Sequence, residues 1–399
     1  MPVDVAPITG SQPGSFAHHV ICERHPAIIR DLQDTHPYPR LQRALLDELE
    51  RETLDGYISR LPDTAPDRGY WDSSGDAFYG RRWTDVPFLW AESFFYRRVL
   101  EAVRYFEQGP WYRLDPFRAK KTSELHDQRV SALLEQLDAV GTVTDADAFA
   151  VFLHGAVWGN KADLGYEMGR HAAGLAASHG RAPQLLVDST SAAWTYIAEQ
   201  QPETIIVIAD NAGAELICDL LLIDFLLREP DRTIEIHLKP EPYYVSDATP
   251  ADLLDTLRLL ATSGPAARHV AARLADHMRS NDLLLNTDDF YCKPERLADA
   301  PADLHERYAA ADLVIVKGDL NYRRLVGDVH HDPTTPFADA CADFPTRLLA
   351  LRALKSDVIV GLDADTLAAQ DATNTPWRTN GSRAVIQTFQ PTSASSSST

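Results

Sequence analysis

Cysteine is scarce in this chain of 399 residues. The four that occur lie far apart, and none belongs to a CxxC pair: Cys22, Cys218, Cys292 and Cys341. This spacing argues against a structural zinc site and against a disulfide framework. The first twenty residues also lack the basic and apolar regions of a signal peptide. We therefore expect a cytoplasmic protein.

Positive charge is also in deficit, because 38 Lys and Arg face 58 Asp and Glu and leave a formal net charge of -20 at pH 7. Such a surface repels polyanions, so neither nucleic acid nor an anionic membrane is expected as a partner. Long hydrophobic runs are missing too. The most apolar stretch, residues 216–227, contains Asp219 and Asp224 and is far shorter than the ~20 residues of a membrane span. An anionic metabolite fits this chain only if a metal ion or a few cations reverse the sign of the site locally.

The rest of the composition is that of a globular protein, with 45% hydrophobic and 24% charged residues. Over residues 1–140 apolar side chains recur at three and four positions, which predicts a mainly helical N-terminal domain. Over residues 141–390 short β-branched runs alternate with amphipathic stretches. This pattern predicts an α/β fold, namely a three-layer α/β/α domain with a largely parallel sheet. The low-complexity residues 391–399 are predicted to be a disordered tail.

Four runs are the clearest strand candidates, at residues 204–209, 233–238, 313–316 and 358–361. Ligands of an open parallel sheet bind outside the carboxyl ends of its strands, so the polar residues that follow these runs are the first candidates for a site. Asp210 and Asn211 come directly after the first run, and Asp247 follows the second.

One βαβ unit would bring the ends of these two strands together. Asp210, Asn211 and Asp247 would then supply three hard oxygen ligands of the kind that suit Mg²⁺ or Mn²⁺. Each residue also has a purely structural explanation. Asp210 and Asn211 fit an Asx turn, and Asp247 fits a cap for a helix that begins near Pro250.

A third polar cluster follows the run at 313–316 and contains two cations, Lys317 and Arg323. Together with backbone amides of the turn at Gly318, they could hold a phosphate. The alternative is an ordinary helix start, with Asp319 as the N-cap and Arg323 on a solvated face.

Several separated motifs in this order resemble the damage-control phosphatase family, formerly domain of unknown function 89, and within it subfamily III. The resemblance covers residues 15–362, nearly the whole chain. It rests on five sequence runs: WAESFFYRR (90–98), WGNKADL (158–164), DNAGAELICDLLLIDFLL (210–227), VSDAT (245–249) and ADLVIVKGDLNYRRLVGD (311–328).

The resemblance implies a metal-dependent phosphoric monoester hydrolase that acts on small phosphorylated metabolites, with sugar phosphates such as fructose 1-phosphate or fructose 6-phosphate among its substrates. It implies Mn²⁺ as the first choice of metal, with Mg²⁺, Co²⁺ or Ni²⁺ as alternatives. By motif position the metal ligands are Asp210, Asn211 and Asp247, and the catalytic residues are Asp210, Glu215 and Lys355. The implied substrate-binding residues are Asp319, Leu320, Asn321, Tyr322, Arg323, Lys355, Asn160 and Glu92.

The chain departs from the subfamily pattern at its late RTxK signature, because Ala353 stands where the signature has Thr. The replacement removes a hydroxyl contact. We expect it to affect substrate preference more than the phosphate contact made by Lys355. The sequence leaves the oligomeric state open. It also leaves open whether water or a carboxylate such as Asp210 is the nucleophile, although a metal-bound Asp favours water.

Two other functions compete with a phosphatase. A carboxyl methyltransferase that uses S-adenosylmethionine has been proposed for a vertebrate relative in the same subfamily. Such enzymes usually carry a Gly-rich turn after the first strand, and no GxGxG occurs here. A catalytically silent metabolite-binding protein is the third class, but it would have no need of Asp210, Asn211, Asp247 and Lys355 together.

Overall fold

The computed structural model describes residues 5–138, 144–159 and 184–391, and every structural statement below refers to this part of the chain. The described residues contain seven strands, all in one sheet: β1 (Gln184–Asp188), β2 (Thr204–Ile208), β3 (Thr233–Leu238), β4 (Leu283–Thr287), β5 (Leu313–Lys317), β6 (Leu348–Ala353) and β7 (Arg383–Phe389). Their order is β1-β7-β6-β5-β2-β3-β4. Neighbouring strands are parallel except for β6 and β7, which are antiparallel.

Helices cover both faces of this sheet. In chain order the described α-helices and the one described π-helix are α1 (Phe16–His19), the π-helix (Val20–Arg24), α2 (His25–Thr35), α3 (Arg40–Asp55), α4 (Arg68–Ser74), α5 (Phe88–Ala102), α6 (Arg118–Leu125), α7 (Gln128–Asp138), α8 (Asp145–Trp158), α9 (Thr190–Gln200), α10 (Ala214–Leu226), α11 (Pro250–Thr262), α12 (Pro265–Ser280), α13 (Ala302–Ala310), α14 (Gly318–Val326), α15 (Phe337–Ala340) and α16 (Ala364–Asp371). Within the described residues no helix is both long and apolar enough to cross a lipid bilayer.

The central strands are apolar on both sides because each side packs on a different layer of helices. Along β2, Ile206 and Ile208 belong to a core shared with the N-terminal helices α2, α3 and α5. Ile205 and Val207, which point the opposite way, belong to a second core shared with α8 and α10. The chain thus has three layers, and the predicted α/β class with a helical N-terminal region and a largely parallel sheet is confirmed.

The N-terminal helices share their core with one face of the sheet. The domain boundaries at residues 140 and 390 stay predictions. Of the predicted tail, residues 392–399 lie outside the described part of the chain.

The predicted strand at residues 358–361 is wrong. Val358, Ile359 and Val360 are buried, but the segment pairs with no strand of the described sheet. Side chains replace the missing ladder: the Val360 carbonyl accepts a hydrogen bond from Gln387 Nε2 at 2.9 Å, and the Val358 carbonyl accepts one from Arg352. Because its carbonyls are satisfied in this way, an apolar, β-branched segment can be buried without joining the sheet.

Candidate active site

The loops that follow β2 and β3 are joined by backbone hydrogen bonds. Asn211 and Asp247 form an isolated antiparallel bridge. The Ala212 amide donates to the Ser246 carbonyl at 2.7 Å, and the Ala248 amide donates to the Asp210 carbonyl, also at 2.7 Å. The structure therefore brings together the three residues that the sequence suggested as metal ligands.

Asp210 is almost fully buried where β2 ends. Its Oδ2 accepts a hydrogen bond from Asn211 Nδ2 at 2.8 Å, and the same amide nitrogen donates to Glu215 Oε2 at 3.0 Å. Burial and the negative charges of Glu215 and Asp247 raise the pKa of Asp210 well above its usual range. This carboxylate therefore lies where a cation would be strongly stabilised.

Asp247 is buried beside Lys239, whose Nζ lies 3.0 Å from Asp247 Oδ2. No donor in the described residues makes a hydrogen bond of good geometry to that oxygen. Burial raises the pKa of Asp247, although Lys239 acts in the opposite direction. A further positive partner would therefore stabilise its charged form.

Glu215, in the first turn of α10, is held from behind by a buried lysine. Lys317 Nζ lies 3.2 Å from Glu215 Oε1 and 2.9 Å from Asp219 Oδ1, and it donates to the Ala156 carbonyl at 2.5 Å. Burial alone would raise the pKa of Glu215, but Lys317 and Lys355 outweigh it and lower this pKa. Lys317, considered as a phosphate-binding cation from its place in the sequence, is instead a buried partner of two carboxylates.

Asp319 anchors the segment that carries Lys355. Its Oδ1 accepts hydrogen bonds from the Lys355 amide and from Arg352 Nε, both at 2.9 Å. Arg352 is fully buried and also donates to Ser356 Oγ at 2.9 Å. The predicted substrate residue Asp319 thus also fixes the backbone of the predicted catalytic lysine.

The next four residues of this run, also predicted to bind substrate, pack behind the site. Asn321 Nδ2 donates to the carbonyls of Ala209 at 3.0 Å and Lys317 at 2.9 Å, which ties β2 to β5. Tyr322 and Leu320 are buried, and the Tyr322 hydroxyl donates to Gln387 Oε1 at 2.9 Å.

Arg323 and Glu92 are brought together, but as an ion pair. Arg323 Nη1 lies 2.7 Å from Glu92 Oε2, and Arg323 Nε lies 2.8 Å from Asp328 Oδ1. Both predicted residues are buried. The remaining predicted substrate residue, Asn160, lies outside the described residues.

A cavity of about 370 Å³ opens at the carboxyl ends of β2 and β5. Its polar wall contains Asp210, Glu215, Asp319 and Lys355, and its apolar wall includes Trp158. Although burial acts against the charge, Glu215, Asp210 and Asp319 raise the pKa of Lys355, so this lysine stays protonated. The cavity therefore combines carboxylates and a cation of the kinds that bind metal and phosphate.

Arg24 also lines this cavity, and the sequence reading missed it. That reading followed the ends of strands, whereas Arg24 belongs to the π-helix before α2. In the sequence, Arg24 stands out only as a cation in a strongly acidic chain. The other arginines share this property, so it does not identify Arg24 as a site residue.

The fold and this cavity define an α/β protein with an acidic, metal- and phosphate-compatible site at the carboxyl ends of parallel strands. The family model of the damage-control phosphatase ARMT1-like domain matches residues 16–370, so the chain belongs to that family, as its motifs indicated. Its subfamily stays a prediction.

Curated relatives similar to this chain are named damage-control phosphatase ARMT1. The protein from Danio rerio is 28% identical over 429 residues, with 95% of each chain covered. The Homo sapiens protein is 27% identical over 445 residues, covering 97% of this chain and 99% of its own. Among solved structures, a DUF89 family protein from Pyrococcus horikoshii aligns with a TM-score of 0.49 at 12% identity, covering 92% of this chain and 97% of that one.

Proposed function

We propose that this protein is a metal-dependent phosphatase that hydrolyses small phosphorylated metabolites, with sugar phosphates such as fructose 1-phosphate or fructose 6-phosphate as substrates. Family membership supports a phosphatase. The observation that carries the finer proposal is one cavity lined by Asp210, Glu215, Asp319 and Lys355, with Asp247 bridged to Asn211 beside it. The predicted cytoplasmic location belongs to the same proposal.

Asp210, Asn211 and Asp247 would hold the divalent cation. Their oxygens are hard donors, and burial raises the pKa of Asp210 and of Asp247, so a bound cation would stabilise the ionised form of both carboxyl groups. The described residues contain no metal-binding cluster of three His, Cys, Asp or Glu side chains, and in this proposal the side-chain oxygen of Asn211 is the third ligand. Mn²⁺ is the first candidate, with Mg²⁺, Co²⁺ or Ni²⁺ as alternatives. When bound, such an ion polarises a phosphoryl oxygen and lowers the pKa of a water molecule.

The protein's own side chains provide the rest of the chemistry. The Lys355 ammonium binds phosphoryl oxygens, and the hydrogen bond from its amide to Asp319 fixes its position. Glu215, held by Lys317 and Asn211, orients a water molecule or a substrate hydroxyl at the cavity wall. Trp158 adds an apolar surface to the same cavity. The cavity volume of about 370 Å³ suits a small metabolite.

The test is phosphate release by the purified chain from a panel of sugar phosphates, with each metal in turn, with a chelator, and with S-adenosylmethionine in place of metal. We expect hydrolysis that requires the metal. Formation of S-adenosylhomocysteine from the methyl donor, without phosphate release, would instead support the methyltransferase alternative.

Asp247→Ala provides the matched variant. Loss of an outer-shell partner of a metal already costs ~10–100-fold, so loss of a ligand should lower activity at least that far. The variant should also lose the rise in melting temperature that Mn²⁺ gives the wild type. Asp276→Ala, which removes an exposed carboxylate on α12, should keep both properties. Full activity in Asp247→Ala would refute the metal site.

A further inference from the structure

Arg24 is the last residue of a π-helical turn, Val20–Arg24, between α1 and α2. Such turns shift the register of a helix locally and are frequent at functional sites. The next residue, His25, is fully buried and stacks on Phe95 with ring centroids 3.7 Å apart. Since adjacent helical residues point in different directions, the buried His25 leaves Arg24 facing the cavity that Asp210 and Lys355 also line.

Arg24 makes no side-chain hydrogen bond or ion pair with any residue in the described part of the chain. The same holds for the ammonium of Lys355 within residues 5–138, 144–159 and 184–391. Buried cations near the cavity are different, because Lys317, Arg323 and Arg352 are each paired with carboxylates. In a chain with 58 acidic residues, two cations that line the same cavity and form no ion pair within the described residues are suited to an anion from outside the protein.

We propose that Arg24 binds the phosphoryl group of the substrate together with Lys355. This inference rests on the proposed phosphatase function and adds a residue to it. A guanidinium presents a planar fork of donors that can bind two phosphoryl oxygens at once, whereas an ammonium acts as a point charge. Arg24 and Lys355 would therefore act differently: the arginine orients the phosphoryl group, and the lysine neutralises it.

The direct test is the affinity for inorganic phosphate, the expected product, measured by calorimetry at saturating Mn²⁺. Hydrogen bonds to charged groups contribute about 1.5–3 kcal/mol, so Arg24→Met should weaken phosphate binding by about 10- to 100-fold. Arg24→Lys should recover only part of that loss. Arg30→Met is the matched control, because Arg30 lies on α2, is well exposed and pairs with Glu50 at 2.9 Å. It should bind phosphate as the wild type does.

Chemical rescue separates a phosphate contact from a structural role. Guanidinium ions added at a non-denaturing concentration should restore part of kcat/KM to Arg24→Ala, whereas sodium chloride at equal ionic strength should not. Melting curves will show which variants fold, and if Arg24→Met does not, Arg24→Lys carries the binding test.

Unchanged phosphate affinity in the Arg24 variants would overturn the inference. This holds even if KM for the sugar phosphate rises, because Arg24 would then bind a part of the substrate other than its phosphoryl group. That result leaves the proposed function intact if the wild type hydrolyses sugar phosphates. Conversely, a wild type that binds phosphate through Arg24 but hydrolyses nothing would refute the proposed function and leave Arg24 as a phosphate-binding residue without a role in hydrolysis.

Discussion

Gly318 shows how a single residue without a side chain shapes the site. It follows β5 with φ at +85°, and a Cβ added there would lie 1.9 Å from Asp210 Oδ2. Glycine is therefore required twice, once for its backbone conformation and once for the close approach of the Asp210 carboxylate.

We predict that Gly318→Ala destabilises the protein and also displaces Asp210. The left-handed conformation costs a residue with a Cβ about 1–2 kcal/mol, and the contact with the carboxylate adds to this. Urea denaturation and phosphatase kinetics would measure the two effects.

Gly80→Ala separates the two effects, because Gly80 has a similar φ of +77° but open space around its missing Cβ. It should lose stability without losing activity. If Gly318→Ala is as active as Gly80→Ala, the position of Asp210 does not matter for activity. The proposed role of Asp210 in the site would then be wrong.

At the scale of elements, α14 connects three parts of the structure around the cavity, and the substrate-binding role of its residues stays a prediction. Asn321 ties β2 to β5, Arg323 holds Glu92 on α5, and Asp319 holds the segment after β6. A helix that begins directly at the end of a central strand can reach all three neighbours, so one short element fixes the relative positions of the cavity walls.

We predict that Asp319→Asn lowers both stability and kcat/KM. Asn keeps an acceptor for the Lys355 amide but leaves the buried Arg352 without its charge partner, and breaking a buried ion pair costs about 3–5 kcal/mol. Denaturant unfolding measures the first effect, and steady-state kinetics on one sugar phosphate measures the second.

The control is Asp371→Asn, which breaks the partly exposed pair of Asp371 and Arg378 at 3.4 Å. Exposed pairs contribute about 0–1 kcal/mol, so this variant should resemble the wild type. Equal effects of the two substitutions would mean that the Asp319 contacts do not hold the Lys355 segment.

For the whole molecule, the excess of acidic residues extends into the core. Asp219, on α10, is 1% exposed, and it shares Lys317 with Glu215. Burial raises the pKa of Asp219 to about 7, although Lys317 acts in the opposite direction. The single positive charge of Lys317 balances one ionised carboxylate. The pair of Glu215 and Asp219 is therefore neutralised only while Asp219 keeps its proton.

The stability of the metal-free protein should therefore fall as pH rises from about 4 to about 7. In this range the native state keeps a proton on Asp219 that the unfolded chain, with a pKa near 3.8, has released. Stability falls wherever the native state binds more protons, here by at most about 1.4 kcal/mol per pH unit for one group. Urea denaturation at several pH values would measure the slope.

Asp219→Asn should reduce this slope, to which the raised pKa values of Asp210 and Asp247 also contribute, whereas Asp276→Asn, which removes an exposed carboxylate, should leave it as in the wild type. A wild-type stability that rises with pH over this window would contradict the assignment.

The sequence determined the layers of the fold and the centre of the site. β2, β3 and β5 are rich in β-branched apolar residues, a composition typical of strands buried on both faces. Since parallel strands end at the same edge, Asp210 and Asp247 could be placed together from their positions in the chain. The family was also identified from the order of local motifs.

Only the tertiary structure decided which apolar segments join the sheet and which cations line the cavity. β6, LLALRA, consists largely of good helix formers but is a buried strand between β5 and β7, whereas the β-branched residues 358–361 stay outside the sheet. Lys317 is buried in an ion pair, whereas Lys355 and Arg24 line the cavity. Burial and pairing depend on contacts between residues far apart in the chain, and local sequence does not record those contacts.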